Sequence, residues 1–242
     1  VNVANYLRFV PDIEKSIVDN NLDSIVIGGG PTAWLVPWID SKILSGVRLW
    51  GAHDVHKIIP VNDLVLMDSP SSTKRLLVGT ASFEEVLNSR PGRIWINDWW
   101  WDEWMTHLHF SVHSICVKQR YFVWTRPRLE EGETAPKKFT LDWPLPNCGY
   151  VSPIACTTTA WMEGDRRIGV IGVDMGPDHH TKAFRKPVDS MFAMAAQQAH
   201  EAGGVIINLS PITSLRTFKS WIPSSSSSEP TSGSETPELK TS

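Results

Sequence analysis

The sequence predicts an α/β protein built on a mostly parallel sheet with helices on both faces. Three observations carry that prediction. Short, continuous apolar runs such as Ile25–Ile27, "LVLM" at 64–67 and "IGVIGV" at 168–173 recur along the chain. Runs of this kind suit strands buried on both faces. Most are followed by turn residues and then by helical apolar spacing, the alternation of a parallel α/β sheet. The first run ends in three glycines and a proline, "GGGP" at 28–31.

The elements follow in order. Tyr6, Phe9, Val10, Ile13 and Ile17 are spaced for a helix over 5–20. Residues 23–28 form the first strand. Pro31, pre-organised for a first helical position, opens a helix over 31–44. "GVRLWGAHD" is a second strand ending near His53, and "NDLVLMDSP" a third ending at Asp68. "SFEEVLNS" is a short helix with Ser82 and Glu85 at capping-box spacing. "GRIWIND" is a fourth strand. "DWWWDEW" then starts a helix capped by Asn97 or Asp98, whose indoles pack into the core or offer an aromatic platform.

Residues 108–126 alternate and are rich in Val, Phe and Tyr, which favours strands. With the polar stretch "RPRLEEGETAPKK" they make 100–150 a mixed β-rich insertion or lid. Regular alternation returns with a helix at 151–163, a strand "RRIGVIGVDM" ending at Asp174 and a helix from Pro187 to the double glycine at 203–204. A strand "GVIINLSP" and a short helix "SLRTFKSW" close the domain, which spans 1–222. The last stretch, 223–242, is Ser-, Pro-, Thr- and Glu-rich. Its low hydrophobicity predicts a disordered tail.

Composition narrows the function. The chain has 242 residues, 41% hydrophobic and 20% charged, with a net charge of −3. That balance gives no general nucleic-acid footprint, although a local basic patch stays open. No run approaches the roughly 20 apolar residues of a membrane span. The N-terminal stretch does not read as a signal peptide. Cys116, Cys148 and Cys156 form no C-x-x-C pair and read as free thiols in a reducing compartment. The expectation is a soluble, cytoplasmic protein. Cys156, on an apolar helical stretch, reads as core rather than nucleophile.

Ligands of parallel sheets bind at the carboxyl ends of the strands, where the strand order reverses. The residues that follow the strands are therefore the candidates: 28–31, 53–54, 68–69, 97–98, 174–180 and 208–211. Gly28, Gly30 and Ala33 fit G-x-G-x-x-A, the Rossmann-type turn, and the helix start beside them is suited to a phosphate. A bare strand-to-helix turn explains the same letters. Asp54 is a loose match to the carboxylate expected about 20 residues on in dinucleotide sites. "DMGPDHH" places Asp174, Asp178, His179 and His180 in one loop. A histidine there suits a general base first, helix capping second, and metal binding third. His107, His109 and His113 have no carboxylate or cysteine to complete a metal set, and read as packed or solvated.

The order of "IVIGGGPTAWLV", "RLWGAHD", "LVLMDSP", "VSPIACTTTAWMEGDRRIGVIGVDM" and "GVIINLSPITSLRTF" resembles one Rossmann-like superfamily. It contains the bacterial CMP-sialic-acid-dependent sialyltransferases and the related motility-accessory and archaeal pterin diphosphokinase-like proteins. The likeness covers residues 23–70 and 150–218. It implies that Gly28, Gly29, Gly30, Pro31 and Thr32 lie against nucleotide phosphates. It implies that His53 and Asp68 stand near the nucleotide, where the sialyltransferases carry asparagines. Ser152 matches the serine before the long helix, with Pro153 in place of a glycine. His180 or His179 matches the general base, with Asp174 at the end of the preceding strand.

The expectation is a nucleotide-dependent transferase moving a sugar from a nucleotide-activated donor to an acceptor hydroxyl, with no cofactor required. One alternative is a pyrophosphokinase of the pterin type, with Mg²⁺ on Asp68, Asp174 and Asp178. Another is a non-catalytic nucleotide- or dinucleotide-binding module. The acceptor is not specified by the sequence, and a homo-oligomer is consistent with the resemblance.

Overall fold

The computed structural model describes residues 3–52, 55, 58–67, 93–97, 121–124, 152–176 and 179–222; for 94, 96–97, 121–124 and 179–184 it describes the backbone alone. Among the described residues seven strands form one sheet: β1 (Ser24–Ile27), β2 (Arg48–Ala52), β3 (Asp63–Leu66), β4 (Arg93–Asn97), β5 (Tyr121–Trp124), β6 (Arg167–Ile171) and β7 (Val205–Asn208). Their order is β5-β4-β3-β2-β1-β6-β7, and every pairing is parallel. The predicted α/β class is therefore observed. β5, from the stretch expected to be an insertion, pairs with β4 in this same sheet and is its outermost strand among the described residues; residues 98–120 and 125–151 lie outside them.

Each central strand sends alternate side chains to opposite faces, as a period of two requires. Ile25 and Ile27 join one core with Leu49, Leu64, Leu66 and Ile207, beneath Ile13 and Ile17 of α1 (Val10–Asp19). Val26 joins the other with Trp50, Val65, Ile168, Val170 and Ile206. That second face is covered by α3 (Ser152–Met162) and α4 (His179–Glu201). Complete burial of an aliphatic side chain stabilises by about 1.5–3 kcal/mol, so two such faces fix the strand register strongly.

Three elements depart from the sequence expectation. The helix predicted over 31–44 is a 3-10 stretch, Pro31–Trp38, followed by a short α2, Ser41–Leu44. Pro37 lies inside the first piece, where it has no N–H to give an α-helical ladder. Second, α4 starts at His179 and runs through Pro187 instead of beginning there. Third, residues 214–221 form no helix. The amides of Arg216, Thr217 and Phe218 donate to the carboxylate of Asp189 on α4 at 2.8–3.0 Å, so a helical ladder is not needed to satisfy them.

Within α3, the buried hydroxyls of Thr157, Thr158 and Thr159 each donate to a carbonyl four residues back at 2.8 Å. This back-bonding lets polar residues face a dry core. Among the described residues no helix is long and apolar enough to cross a membrane. The predicted helices at 82–89 and after Trp99, and the predicted tail, lie outside the described residues.

Candidate functional site

The strand order reverses between β1 and β6. From β1 the chain steps outward through β2 to β5, then returns to β6 on β1's other side. The loops leaving β1 and β6 therefore border the crevice where α/β sheets bind ligands. The first carries the glycine turn. The second carries Asp174 and leads to His179 and His180, which open α4.

The two loops are fastened together. The Gly28 amide donates to the Ile171 carbonyl and the Gly30 amide to the Gly172 carbonyl, both at 2.8 Å. Gly172 has φ +78°, a conformation that favours glycine. A Cβ on Gly28 or Gly30 would lie 2.6 Å from the Gly172 carbonyl oxygen, and one on Gly172 would lie 2.6 Å from that of Gly28. The glycines at 28, 30 and 172 thus allow two backbones to touch.

Asp174 closes the joint. Its Oδ2 accepts from the Thr32 amide at 2.7 Å, and its Oδ1 accepts from the Thr32 hydroxyl. Ser210, just past β7, adds a third loop: its Oγ accepts from the Gly172 amide at 3.0 Å and lies 3.2 Å from the Thr32 hydroxyl oxygen. Thr32, Asp174 and Ser210 are 1%, 6% and 0% exposed. Burial pushes the Asp174 carboxyl above its ordinary value, against the lowering effect of its bonds from Thr32 and Ser210.

This geometry gives the amides of the expected phosphate cradle partners within the protein. The amides of Gly28, Gly30 and Thr32 already serve acceptors of the protein itself, and a carboxylate occupies the anion position at the start of the 3-10 stretch. Gly29 and Pro31 are exposed, and a Cβ on Gly29 would meet nothing within 4 Å. The open part of the turn is its tip.

Ser152 is the first residue of α3 and is buried. Its neighbour Pro153 lies 3.0 Å from the Cβ position of Gly28, so the α3 N-terminus meets the glycine turn. Met175, partly buried, has φ +49°, a left-handed conformation that is uncommon outside glycine. Gly176, next to it, accepts from the Arg185 guanidinium of α4 at 3.1 Å. Arg185 is a cation at the rim that sequence reasoning missed. Only the turn of α4 that begins at His179, eight residues before the predicted start, brings it there.

His53, Asp54, Asp68 and Asp178 lie outside the described residues, as do the side chains of His179 and His180. Of the three aspartates expected to hold Mg²⁺, Asp174 alone is described, and both its oxygens are taken by Thr32. Among the described residues no group of three His, Cys, Asp or Glu comes together as a metal site. Cys156 is fully buried, with its thiol 3.6 Å from the Gly51 carbonyl. Burial raises its pKa well above the ordinary value, which keeps the protonated, poorly nucleophilic form.

Comparison with protein-family models, with curated proteins and with solved structures finds no match to this chain.

Proposed function

We propose that the chain is a nucleotide-dependent transferase whose donor lies across the β1/β6 crevice, over the tip of the glycine turn. The transferred group is a sugar, and the acceptor is a hydroxyl. His180 or His179 removes the acceptor's proton, because a neutral imidazole is a competent base near pH 7.

One observation carries the reading. The loop with the glycine turn and the loop leading to the histidines are joined by direct backbone bonds at the point of strand reversal. In this version the turn amides of Gly28, Gly30 and Thr32 shape the floor, and the exposed Gly29–Pro31 tip faces the ligand. The internal use of those amides also favours a second reading, a module that has kept the turn for packing and lost the chemistry.

A thermal-shift panel of CMP, UDP, GDP, ATP and NAD, each with and without Mg²⁺, separates the readings. Transfer predicts stabilisation by a nucleoside mono- or diphosphate without metal, about 2.7 kcal/mol at a hundredfold excess over Kd. His179→Ala or His180→Ala should then abolish release of the nucleotide from its sugar conjugate while preserving that stabilisation. Full activity in both variants removes the assigned base, and ATP stabilisation that requires Mg²⁺ favours the pyrophosphokinase.

A further inference from the structure

The segment after β7 builds a second concave surface, beginning where Thr213 and Ser214 bond the carbonyls of Val173 and Asp174 at the rim. Its path is irregular but tightly held. Asp189 gathers the amides of Arg216, Thr217 and Phe218. Burial pushes the Asp189 carboxyl up, but these bonds outweigh it and hold the carboxyl below its usual range. Asn208 donates to the Phe218 carbonyl at 3.0 Å, and its own carbonyl accepts from the Trp221 amide at 2.7 Å. Phe218 stacks on Phe192 of α4 with centroids 4.9 Å apart.

This framework presents two cations and an indole outward. Arg216, Lys219 and Trp221 are all exposed, Trp221 by 57%. With Thr213 and Ser220 they line an open cavity of about 740 Å³. Among the described residues neither Arg216 nor Lys219 has a carboxylate partner. The Asp189 charge beneath them is spent on backbone amides. Two unpaired cations call for an anion, the indole face calls for a flat ring, and the hydroxyls call for polar edges. The volume lies within the range of small-ligand sites. Inorganic phosphate would use the cations and leave the indole bare, whereas an apolar ligand would leave the cations bare.

We propose that this cavity binds a nucleoside phosphate, with the phosphate between Arg216 and Lys219 and the base stacked on Trp221. The unit is either a free mononucleotide or one residue of a single strand. Stacking of this kind accepts any base.

The test titrates the full chain with AMP, and in a second arm with an eight-residue oligodeoxyadenylate. Hydrogen exchange of residues 216–222 is followed in both, because their amides bond Asp189 and Asn208, whereas Thr213 and Ser214 bond Val173 and Asp174 and would also report a ligand in the crevice. Protection by AMP identifies a free nucleotide; protection by the oligomer alone identifies a strand. In either case the Arg216→Glu/Lys219→Glu double variant and Trp221→Ala should each weaken the protecting interaction at least tenfold, and Trp221→Phe should retain most of it. Melting temperatures of the Trp221→Ala and Trp221→Phe proteins give the folding control. No protection by either probe, or protection with equal affinity in all variants, overturns the proposal.

Discussion

Two buried aspartates sit at opposite ends of the same sheet, and they are used in opposite ways. Asp63 is the first residue of β3, at the amino edge. Its carboxylate accepts from Arg48 Nε and Arg93 Nε, each at 2.7 Å, and from the Trp95 indole at 3.0 Å. Glu163 pairs with both guanidiniums, and Asp165 accepts from the Trp50 indole at 3.0 Å. Arg48 also lies over the Trp50 ring at 4.4 Å. The Asp174 carboxyl, at the carboxyl rim, bonds neutral groups among the described residues, on Thr32 and Ser210. Burial raises the pKa of both carboxyls. At Asp63 the countering groups are the Arg48 guanidinium and the Trp95 indole; at Asp174 they are neutral donors. The amino edge is a closed ion-pair network that clamps β2, β3 and β4 to the end of α3. The rim is a joint between loops, with less charge compensation. A perturbed carboxyl alone therefore does not mark a site; its partners and its place on the sheet do.

Substitutions can break that contrast, and the largest effect should fall at the amino edge. Asp63→Ala leaves two partly buried guanidiniums without the more buried of the two carboxylates they share. The expected loss is near the lower end of roughly 3–5 kcal/mol, because Glu163 and Asp165 remain; urea denaturation measures it. A loss below 1 kcal/mol would make the network a surface feature.

The glycine turn gives the next effect. Gly30→Ala drives a Cβ to 2.6 Å from the Gly172 carbonyl and 2.8 Å from Asp174 Oδ2. Overpacking of that kind costs about 1–3 kcal/mol. Gly29→Ala, one residue away in open space, should stay within about 0.5 kcal/mol of the parent. Equal losses at 29 and 30 would contradict the interlocked loops.

The smallest effect is a pH dependence at the rim. The folded-state pKa of Asp174 is raised above the unfolded value. The stability linked to its protonated form is thus complete below about pH 4 and is lost as pH rises through the folded pKa. Asp174→Asn cannot ionise. Its stability relative to the parent should improve between pH 4 and pH 7, as read from urea midpoints. A parent that gains on the variant over that window would show that the carboxylate is the favoured buried form.

Much of the sheet was legible because its signals are local. Ile25–Ile27, Leu64–Leu66 and Ile168–Ile171 are uninterrupted apolar runs that only a two-sided environment explains. The position of the glycine turn was legible, but not what it touches. A phosphate and a neighbouring carbonyl both demand a missing Cβ, so "GGGP" reads the same for either. The carbonyl belongs to Gly172, 142 residues beyond Gly30. The 214–221 segment departs from the expected helix for a similar reason. Its spacing suits one, but a carboxylate from α4 satisfies its amides from outside. The rim role of Arg185 was hidden by Pro187, which looks like a helix start and lies inside α4.

The proposed donor site is the crevice between the glycine turn and the histidine-bearing loop. Hydrogen exchange of the whole chain with and without excess CMP tests it most directly. Slowed exchange is expected at 28–33 and 172–176, including the amide of the exposed Gly29. Protection confined to other segments, or none at any nucleotide concentration tried, contradicts it.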